Sequence, residues 1–220
     1  MSSSVFARGG AIVLDQARDR EVEWGTAAAS HPAQDVSGDV ALVIRVPAGA
    51  LVAVIDGLGH GHEAARAAQI AREAVCEAVG GDIIALAHRC HRALASTRGA
   101  AVALAFVSTS ASTLTWLGVG NVEGRLITAD QRTRPSTGYA SLRLRRGVIG
   151  HKLPAIDTAT LDIHRGDILI LSTDGITPGF GEALDVSGSS QRIAERILAE
   201  HWTVADDGLV LVLRYLGSGT

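Results

Sequence analysis

Aspartate residues stand at the ends of several apolar, strand-like runs of this sequence. Asp39 directly precedes the run VALVIRV, and Asp56 directly follows the run LVAVI. Asp174 comes after ILILST, and the pair Asp206 and Asp207 comes shortly before the run LVLVLRY. One such aspartate usually only forms a turn, because its carboxylate accepts hydrogen bonds from nearby backbone N–H groups. Several in the same setting predict a shared patch, because adjacent antiparallel strands bring their ends to one edge.

A patch of carboxylates points to a bound cation. Negative charges held close together repel each other unless a positive ion lies between them. Hard divalent cations such as Mg²⁺ and Mn²⁺ take oxygen ligands from carboxylates, backbone carbonyls and water. Gly57 directly follows Asp56 and has no side chain, so its carbonyl is free to approach such an ion. The sequence therefore predicts a divalent metal site at these strand ends.

The glycine-rich run after Asp56 suggests a second kind of site. Gly57, Gly59 and Gly61 between a strand and a helix superficially resemble a dinucleotide-binding turn. His62 occupies the third fingerprint position, however, and Asp56 would repel a pyrophosphate. The next predicted element is another helix, so no βαβ unit forms and a nucleotide-binding oxidoreductase is disfavoured.

Other catalytic groups are scarce around these positions. His60 and His62 are near enough in sequence to orient a substrate or move a proton. The turn at Asn121 is expected to be structural, with Asn121 positioning a loop. Neither a Gly-x-Ser-x-Gly elbow nor a Cys/His nucleophile pair is evident, which disfavours a covalent hydrolase.

The predicted elements segregate helices from strands. Apolar spacing of three and four residues predicts a helix over 62–79. Further helices are expected over 83–96, where Asp82 can cap the first turn, and over 189–201. The strands are expected at 40–46, 51–55, 101–108, 113–119, 124–128, 141–148, 159–164, 167–172 and 208–216, the first two joined by a hairpin turn at Pro47–Ala50. This order favours an antiparallel α+β layered fold over a doubly wound sheet.

Composition argues against several classes of partner. The 220 residues carry a formal net charge of −3, which disfavours nucleic acid and anionic membranes as partners. No apolar stretch is long enough to predict a membrane span. Cys76 and Cys90 lack a CxxC partner, so two reduced thiols in a cytoplasmic protein are expected. We expect residues 1–220 to form one domain and the protein to be a monomer.

The order of the aspartate motifs resembles the metal-dependent PPM (type 2C) protein phosphatases, and among them the bacterial SpoIIE-like branch. The resemblance is carried by Ser37-Gly38-Asp39, VAVIDGLGHG, ILSTDGI and DDGLVLVL, and it extends from about residue 25 to residue 215. Three shorter stretches resemble the compact phosphatases of stressosome signalling: Arg98–Ala101, Gly118–Val122 and Pro135–Tyr139. The resemblance implies an α+β fold in which two antiparallel sheets form a sandwich flanked by helices.

The resemblance also implies roles for individual residues. Asp56 would bridge two divalent ions, Mn²⁺ or Mg²⁺, and Gly57 would offer its carbonyl to one of them. Asp174 and Asp206 would complete the site, and Asp39 would bind directly or through water. Asp56 and Asp174 are thus the expected catalytic positions, whereas Asp207 is less expected to be a ligand. Two ions of this kind activate a water molecule and neutralise phosphate charge.

The implied activity is hydrolysis of phosphoserine or phosphothreonine in a partner protein. The implied substrate is a phosphorylated STAS-domain protein, either a stressosome scaffold or an anti-sigma-factor antagonist. Leu58 replaces the histidine that eukaryotic members carry after Asp-Gly, and Leu209 replaces a usual Thr or Ser. The phosphate-gripping arginine of those members has no counterpart, and no general acid can be assigned. The alternative is a catalytically inactive pseudophosphatase that acts as a binding module.

Overall fold

The computed structural model describes residues 4–8, 11–15, 21–78, 80, 82–129, 139–178 and 184–217. Along the chain lie strands and helices in the following order: β1 (Ser4–Arg8), β2 (Ala11–Asp15), β3 (Val22–Ala29), β4 (Asp39–Val46), β5 (Gly49–Gly57), α1 (His62–Cys76), α2 (Ile83–Ala93), β6 (Ala100–Ser108), β7 (Thr113–Val119), β8 (Glu123–Ile127), β9 (Tyr139–Ser141), β10 (Leu144–Arg145), β11 (Ala159–Asp162), β12 (Ile168–Ser172), α3 (Ser190–His201) and β13 (Gly208–Tyr215).

These strands form two sheets. The first has eight strands in the order β1-β2-β4-β5-β6-β7-β10, with β11 also paired to β7; we call it sheet A. The second has five strands in the order β3-β13-β12-β8-β9; we call it sheet B. Most pairs are antiparallel, as expected, whereas β2–β4 and β7–β10 are parallel.

Alternating side chains divide the core into three apolar layers. On β4, Ala41 and Val43 face the gap between the sheets, whereas Leu42 and Ile44 face the helices α1 and α2. The outer face of sheet B packs against α3 through residues such as Ile193. The layers therefore run from α1 and α2 through sheet A and sheet B to α3. The predicted fold class, an antiparallel sandwich flanked by helices, is confirmed.

The predicted elements differ from the structure mainly at their ends. The turn between β4 and β5 is shorter than Pro47–Ala50, because Gly49 and Ala50 already pair with β4. Helix α1 ends at Cys76 instead of residue 79, and α2 ends at Ala93 instead of residue 96. The strand β3, which was not predicted, pairs along its whole length with β13.

The prediction of one strand over 141–148 is wrong. That stretch holds the end of β9 in sheet B and all of β10 in sheet A. Between them Leu142 is buried between the sheets, and its N–H donates to the Gly124 carbonyl at 2.8 Å. A side chain drawn into the core at this point turns the chain from one sheet to the other. No helix in the described part of the chain is long and apolar enough to span a membrane.

Candidate functional site

Asp39 and Asp56 lie directly opposite each other on β4 and β5. Opposite residues of an antiparallel pair point to the same face, with Cβ atoms about 5 Å apart. Both aspartates share a face with residues such as Val43 and Val54, so both point into the gap between the sheets. Asp39 is buried and Asp56 half-buried. Two carboxylates are therefore held together at the end of the inter-sheet layer.

Thr173 connects this pair to sheet B. Its hydroxyl donates to Asp39 Oδ2 at 2.7 Å and accepts from the Leu209 N–H at 2.9 Å. Thr173 is buried and directly follows β12. Its side chain therefore joins the end of β12 to the start of β4, at Asp39, and to the start of β13, at Leu209. The contact fixes the orientation of the Asp39 carboxylate.

Asp207 ties the loop before β4 to sheet B. Its Oδ2 accepts from the Gly38 N–H at 2.6 Å, and its Oδ1 accepts from the His31 N–H at 2.8 Å. The side chain is 4% exposed. With both oxygens engaged by backbone N–H groups, Asp207 positions the residue before Asp39. Asp207, the aspartate less expected to be a ligand, therefore has a structural contact for each of its carboxylate oxygens.

Asp174 and Asp206 lie on the sheet B side of the same edge. Asp174 is exposed and accepts a hydrogen bond from Asn121 Nδ2, so Asn121 orients a carboxylate as well as forming its turn. Asp206 Oδ1 accepts from the Asp207 N–H at 2.8 Å. Asp174 follows β12 and Asp206 precedes the antiparallel β13, which places both at one end of sheet B.

Two glycines allow the backbone segments of the site to approach each other. A Cβ on Gly57 would lie 2.1 Å from the Ala64 carbonyl oxygen of α1. A Cβ on Gly175 would lie 1.9 Å from the Asp207 carbonyl oxygen. Any side chain at either position would separate an aspartate loop from its neighbour. Glycine is therefore required beside both Asp56 and Asp174.

The electrostatics of the site show that the carboxylates act on one another. Burial raises the pKa of Asp39 to about 7, with the Thr173 hydrogen bond opposing it and neighbouring aspartates adding to it. The pKa of Asp56 is raised to about 9, first by burial and then by the charge of Asp39. Burial and the charge of Asp206 also raise the pKa of Asp174. These groups are close enough for each to disfavour ionisation of the others.

The donor set suits a hard divalent cation, although the arrangement is open. Within the described ranges, no three His, Cys, Asp or Glu side chains lie close enough together to hold one ion. The carboxylates nevertheless share one edge, and each raises the free energy of its neighbours' charged forms. A cation among them relieves that repulsion, and carboxylate oxygens are the ligands that Mg²⁺ and Mn²⁺ prefer. The residues present therefore fit such ions.

The histidines that sequence placed near the site are not drawn into it. His60 and His62 are both exposed, at the loop before α1 and at its first residue. Thr173 and the tethering role of Asp207 were missed by the sequence analysis. The available signal was position: each is adjacent to a predicted ligand at a strand end.

Comparison with known proteins identifies a family. Residues 47–216 match the family model of stage II sporulation protein E (SpoIIE). No curated protein matches the sequence. Among solved structures, a chain from work on the bacterial stressosome, described as a modular system adapted to control secondary messenger signalling, has a TM-score of 0.80 at 27% identity, covering 89% of this chain and all of that one.

Two further structures share the fold. RsbX in complex with magnesium has a TM-score of 0.79 at 21% identity, covering 90% of this chain and 97% of that one. The PP2C phosphatase domain of SpoIIE from Bacillus subtilis, solved with a fragment of its regulatory domain, has a TM-score of 0.72 at 19% identity, covering 90% of this chain and 64% of that one. Since the family model matches well over half of the sequence, the chain belongs to the SpoIIE family of PPM-type, metal-dependent serine/threonine protein phosphatases.

Proposed function

We propose that this chain hydrolyses phosphoserine and phosphothreonine in a partner protein, using divalent cations held by five residues at the shared strand edge. These residues are Asp39, Asp56, Gly57, Asp174 and Asp206. The observation that carries the proposal is the gathering of carboxylates from both sheets, where burial and mutual charge raise the pKa of Asp39 and Asp56. Such a cluster is costly unless cations neutralise it.

The residues of the chain divide the work between binding and orientation. When bound, two divalent cations would activate a water molecule and neutralise phosphate charge. Asp56 lies opposite Asp39 on sheet A and is affected by the charges of Asp174 and Asp206 on the sheet B side. It would therefore contribute a carboxylate to both ions, and Gly57 would offer its backbone carbonyl. Thr173 and Asn121 hold the carboxylates of Asp39 and Asp174 in place.

The proposed reaction is a direct displacement at phosphorus. A water oxygen forms a bond to phosphorus while the bond from phosphorus to the serine or threonine oxygen breaks. That oxygen takes up a proton, and the products are the free hydroxyl group and inorganic phosphate. No phosphorylated enzyme intermediate is required, in agreement with the absence of a nucleophile motif from the sequence.

The proposed substrate is a phosphorylated STAS-domain protein of a stress-signalling pathway. The similarity to RsbX and to a chain from work on the bacterial stressosome supports this choice. RsbX was solved with magnesium, which supports Mg²⁺ as one candidate ion, and Mn²⁺ is the other. We further propose that residues 1–220 form one domain, that the protein is a monomer, and that it acts in the cytoplasm, where Cys76 and Cys90 stay reduced.

The direct test follows phosphate on a phosphorylated STAS-domain protein by mass spectrometry. Incubation with the enzyme and Mn²⁺ is expected to remove the phosphate, and EDTA is expected to prevent the loss. Persistence of every phosphosite with the metal-loaded enzyme would contradict the proposed substrate. Hydrolysis of p-nitrophenyl phosphate separates that result from a failure of the enzyme itself.

The alternative is a pseudophosphatase that binds a phosphoprotein without turnover, and the retention of all the motif aspartates argues against it. The same p-nitrophenyl phosphate assay decides between the two. Metal-dependent release of p-nitrophenol identifies an enzyme, whereas no release with either Mg²⁺ or Mn²⁺ identifies a binding module.

A further inference from the structure

A cavity of about 600 Å³ opens beside the aspartate edge. Its lining residues come from the loop after β5, the first turn of α1, the turn before β6 and the turn after β10: Leu58, Gly59, Glu63, Ser96, Thr97, Arg98 and His151. We call it the Arg98 cavity. No residue that lines it belongs to the proposed metal ligands.

The Arg98 cavity begins where the metal site ends. Leu58 and Gly59 directly follow Asp56 and Gly57 in the chain. The Leu58 N–H donates to the Gly99 carbonyl at 3.0 Å, and Gly57 pairs with Ala100 at the start of β6. The turn that carries Arg98 therefore extends from the same edge of sheet A as Asp56.

The turn around Arg98 is held in one conformation. The Thr97 hydroxyl donates to the Leu94 carbonyl at 2.8 Å and accepts from the Gly99 N–H at 3.0 Å. Gly99 has a φ of +82°, which side-chain-bearing residues rarely adopt. The His151 ring donates from Nε2 to the Thr97 carbonyl at 2.9 Å. These contacts limit the directions from which Arg98 can enter the cavity.

Arg98 itself is exposed and lies against the loop of the site. Its Nη1 lies 2.8 Å from the position that a Cβ on Gly59 would occupy. A side chain at position 59 would therefore displace the guanidinium, and glycine does not. Among the ion pairs of the described residues, none includes Arg98. Glu63, on α1, is the one carboxylate that lines the cavity. The guanidinium is therefore available to an incoming anion.

We propose that the Arg98 cavity receives the phosphorylated side chain of the substrate and that Arg98 contacts its phosphoryl oxygens. The identity of the anion as a phosphate monoester rests on the proposed function. A guanidinium binds phosphate through paired, charge-assisted N–H···O hydrogen bonds. The Arg98 cavity is wide open to solvent, so a phosphorylated side chain on the surface of a partner protein can reach the guanidinium. Arg98 also offsets the repulsion that the aspartates exert on an approaching dianion.

The test measures inorganic phosphate binding, which does not require turnover. Isothermal titration calorimetry of the Mg²⁺-loaded protein compares wild type with Arg98→Ala, Arg98→Lys and Arg165→Ala. Arg165 is an exposed arginine in the turn before β12, at the end of that strand away from Asp174, and is the matched control for loss of one positive charge. The expected result is an approximately tenfold weaker affinity for Arg98→Ala, a smaller loss for Arg98→Lys, and a change within about twofold for Arg165→Ala.

The outcomes separate this inference from the proposed function. Equal phosphate affinity of wild type and Arg98→Ala overturns the role of Arg98, even if both hydrolyse p-nitrophenyl phosphate. Arg98-dependent phosphate binding without any hydrolysis supports the cavity and contradicts the enzyme. Absence of phosphate binding by the wild-type protein at millimolar concentrations overturns the inference. If the enzyme turns over p-nitrophenyl phosphate, the inhibition constant of phosphate for Arg98→Ala is expected to be approximately tenfold higher than for wild type.

Discussion

The carboxylate of Asp56 has the least favourable electrostatic surroundings of the site residues described. It is half-buried, lies across from Asp39, and is affected by the charges of Asp174 and Asp206 from the other sheet. Burial is the largest cause of its raised pKa, and the neighbouring carboxylates add to it. A residue in this position contributes little to stability as an anion, which is the pattern expected of a ligand kept for an ion.

For the single residues Asp56 and Asp174, changes to asparagine are expected to lower the kcat for p-nitrophenyl phosphate by at least about 100-fold, because each would remove a proposed charged ligand of the cations that activate water. The circular dichroism spectrum and thermal midpoint should be retained, since the amide has the same shape as the carboxylate. Asp162→Asn, at an exposed position of β11, is the control and should keep normal activity. Near-normal turnover of both site variants would refute the metal assignment.

The raised pKa values also predict a pH dependence of the metal-free protein. Asp39 and Asp56 have ordinary pKa values of 3.8 and folded-state values of about 7 and about 9. Between pH 4 and pH 9 the folded state therefore binds more protons than the unfolded state, so the free energy of unfolding falls as pH rises through this window. Urea unfolding in EDTA at pH 6, 7.5 and 9 measures the decline.

Two comparisons test whether the aspartates cause this decline in the free energy of unfolding with rising pH. Asp56→Asn should flatten the decline, because the amide does not titrate, and Mn²⁺ should raise the midpoint most at the highest pH. A decline of equal slope in wild type and Asp56→Asn would contradict the prediction.

At the scale of elements, the site is a property of strand ends. The start of β4 lies beside the end of β5, and the end of β12 lies beside the start of β13, because both pairs are antiparallel. The Thr173 hydroxyl, which contacts Asp39 and Leu209, joins these strand ends across the two sheets. Two hydrogen bonds connect the loops at these strand ends across the sheets: one from the Gly38 N–H to Asp207, and one from the Thr173 hydroxyl to Asp39. The position of Asp39 therefore depends on two polar side chains of sheet B.

Asp207 and Asp206, adjacent in sequence, are expected to behave differently when each is changed to asparagine. Asp207→Asn replaces one acceptor with a donor facing a backbone N–H, so it should lower the free energy of unfolding by about 1–3 kcal/mol. Asp206→Asn keeps an oxygen for the Asp207 N–H and should change stability little, while raising the Mg²⁺ concentration needed for half-maximal activity. Urea unfolding and metal titration of both variants measure the difference. A larger stability loss in Asp206→Asn would reverse the assigned roles.

At the scale of the whole molecule, three apolar layers hold the two sheets and their helices together. The contact of α3 with sheet B is close: a Cβ on Gly25 of β3 would lie 2.3 Å from Gln191 Cα. The Gln191 side chain donates to the Thr26 carbonyl at 2.8 Å and accepts from the Thr26 N–H at 3.1 Å. Gln191 of α3 thereby hydrogen-bonds both backbone groups of Thr26 in the edge strand β3.

Gly25→Ala is expected to separate α3 from sheet B and to lower the free energy of unfolding by about 1–3 kcal/mol or more, as overpacking does. Gly80→Ala is the comparison, because nothing lies within 4 Å of its Cβ position and only its φ of +96° opposes a side chain. That variant should lose about 1–2 kcal/mol, the cost of a left-handed backbone conformation for a residue with a side chain. Chemical denaturation measures both, and a larger loss for Gly80→Ala would contradict the packing argument.

Much of the site was predictable from the chain because apolar runs and their flanking residues are local features. The apolar, β-branched runs VALVIRV and LVAVI predict β4 and β5, and the glycine after each of Asp56 and Asp174 indicates a tight turn. The helix α1 follows from apolar residues spaced three and four apart. The ends of the helices, and the break at Leu142, were set by packing that no local pattern contains.

Sequence by itself determined which residues carry charge, which stretches become strands, and that aspartates stand where those strands end. Only the tertiary structure decided that Asp39 faces Asp56, that Asp207 serves as a tether, and that Arg98 lies against Gly59. The physical reason is the separation along the sequence over which each kind of interaction acts. Periodicity and turn chemistry act over a few residues, whereas hydrogen bonds such as that from Gly38 to Asp207 join positions 169 residues apart and form only when the sheets pack.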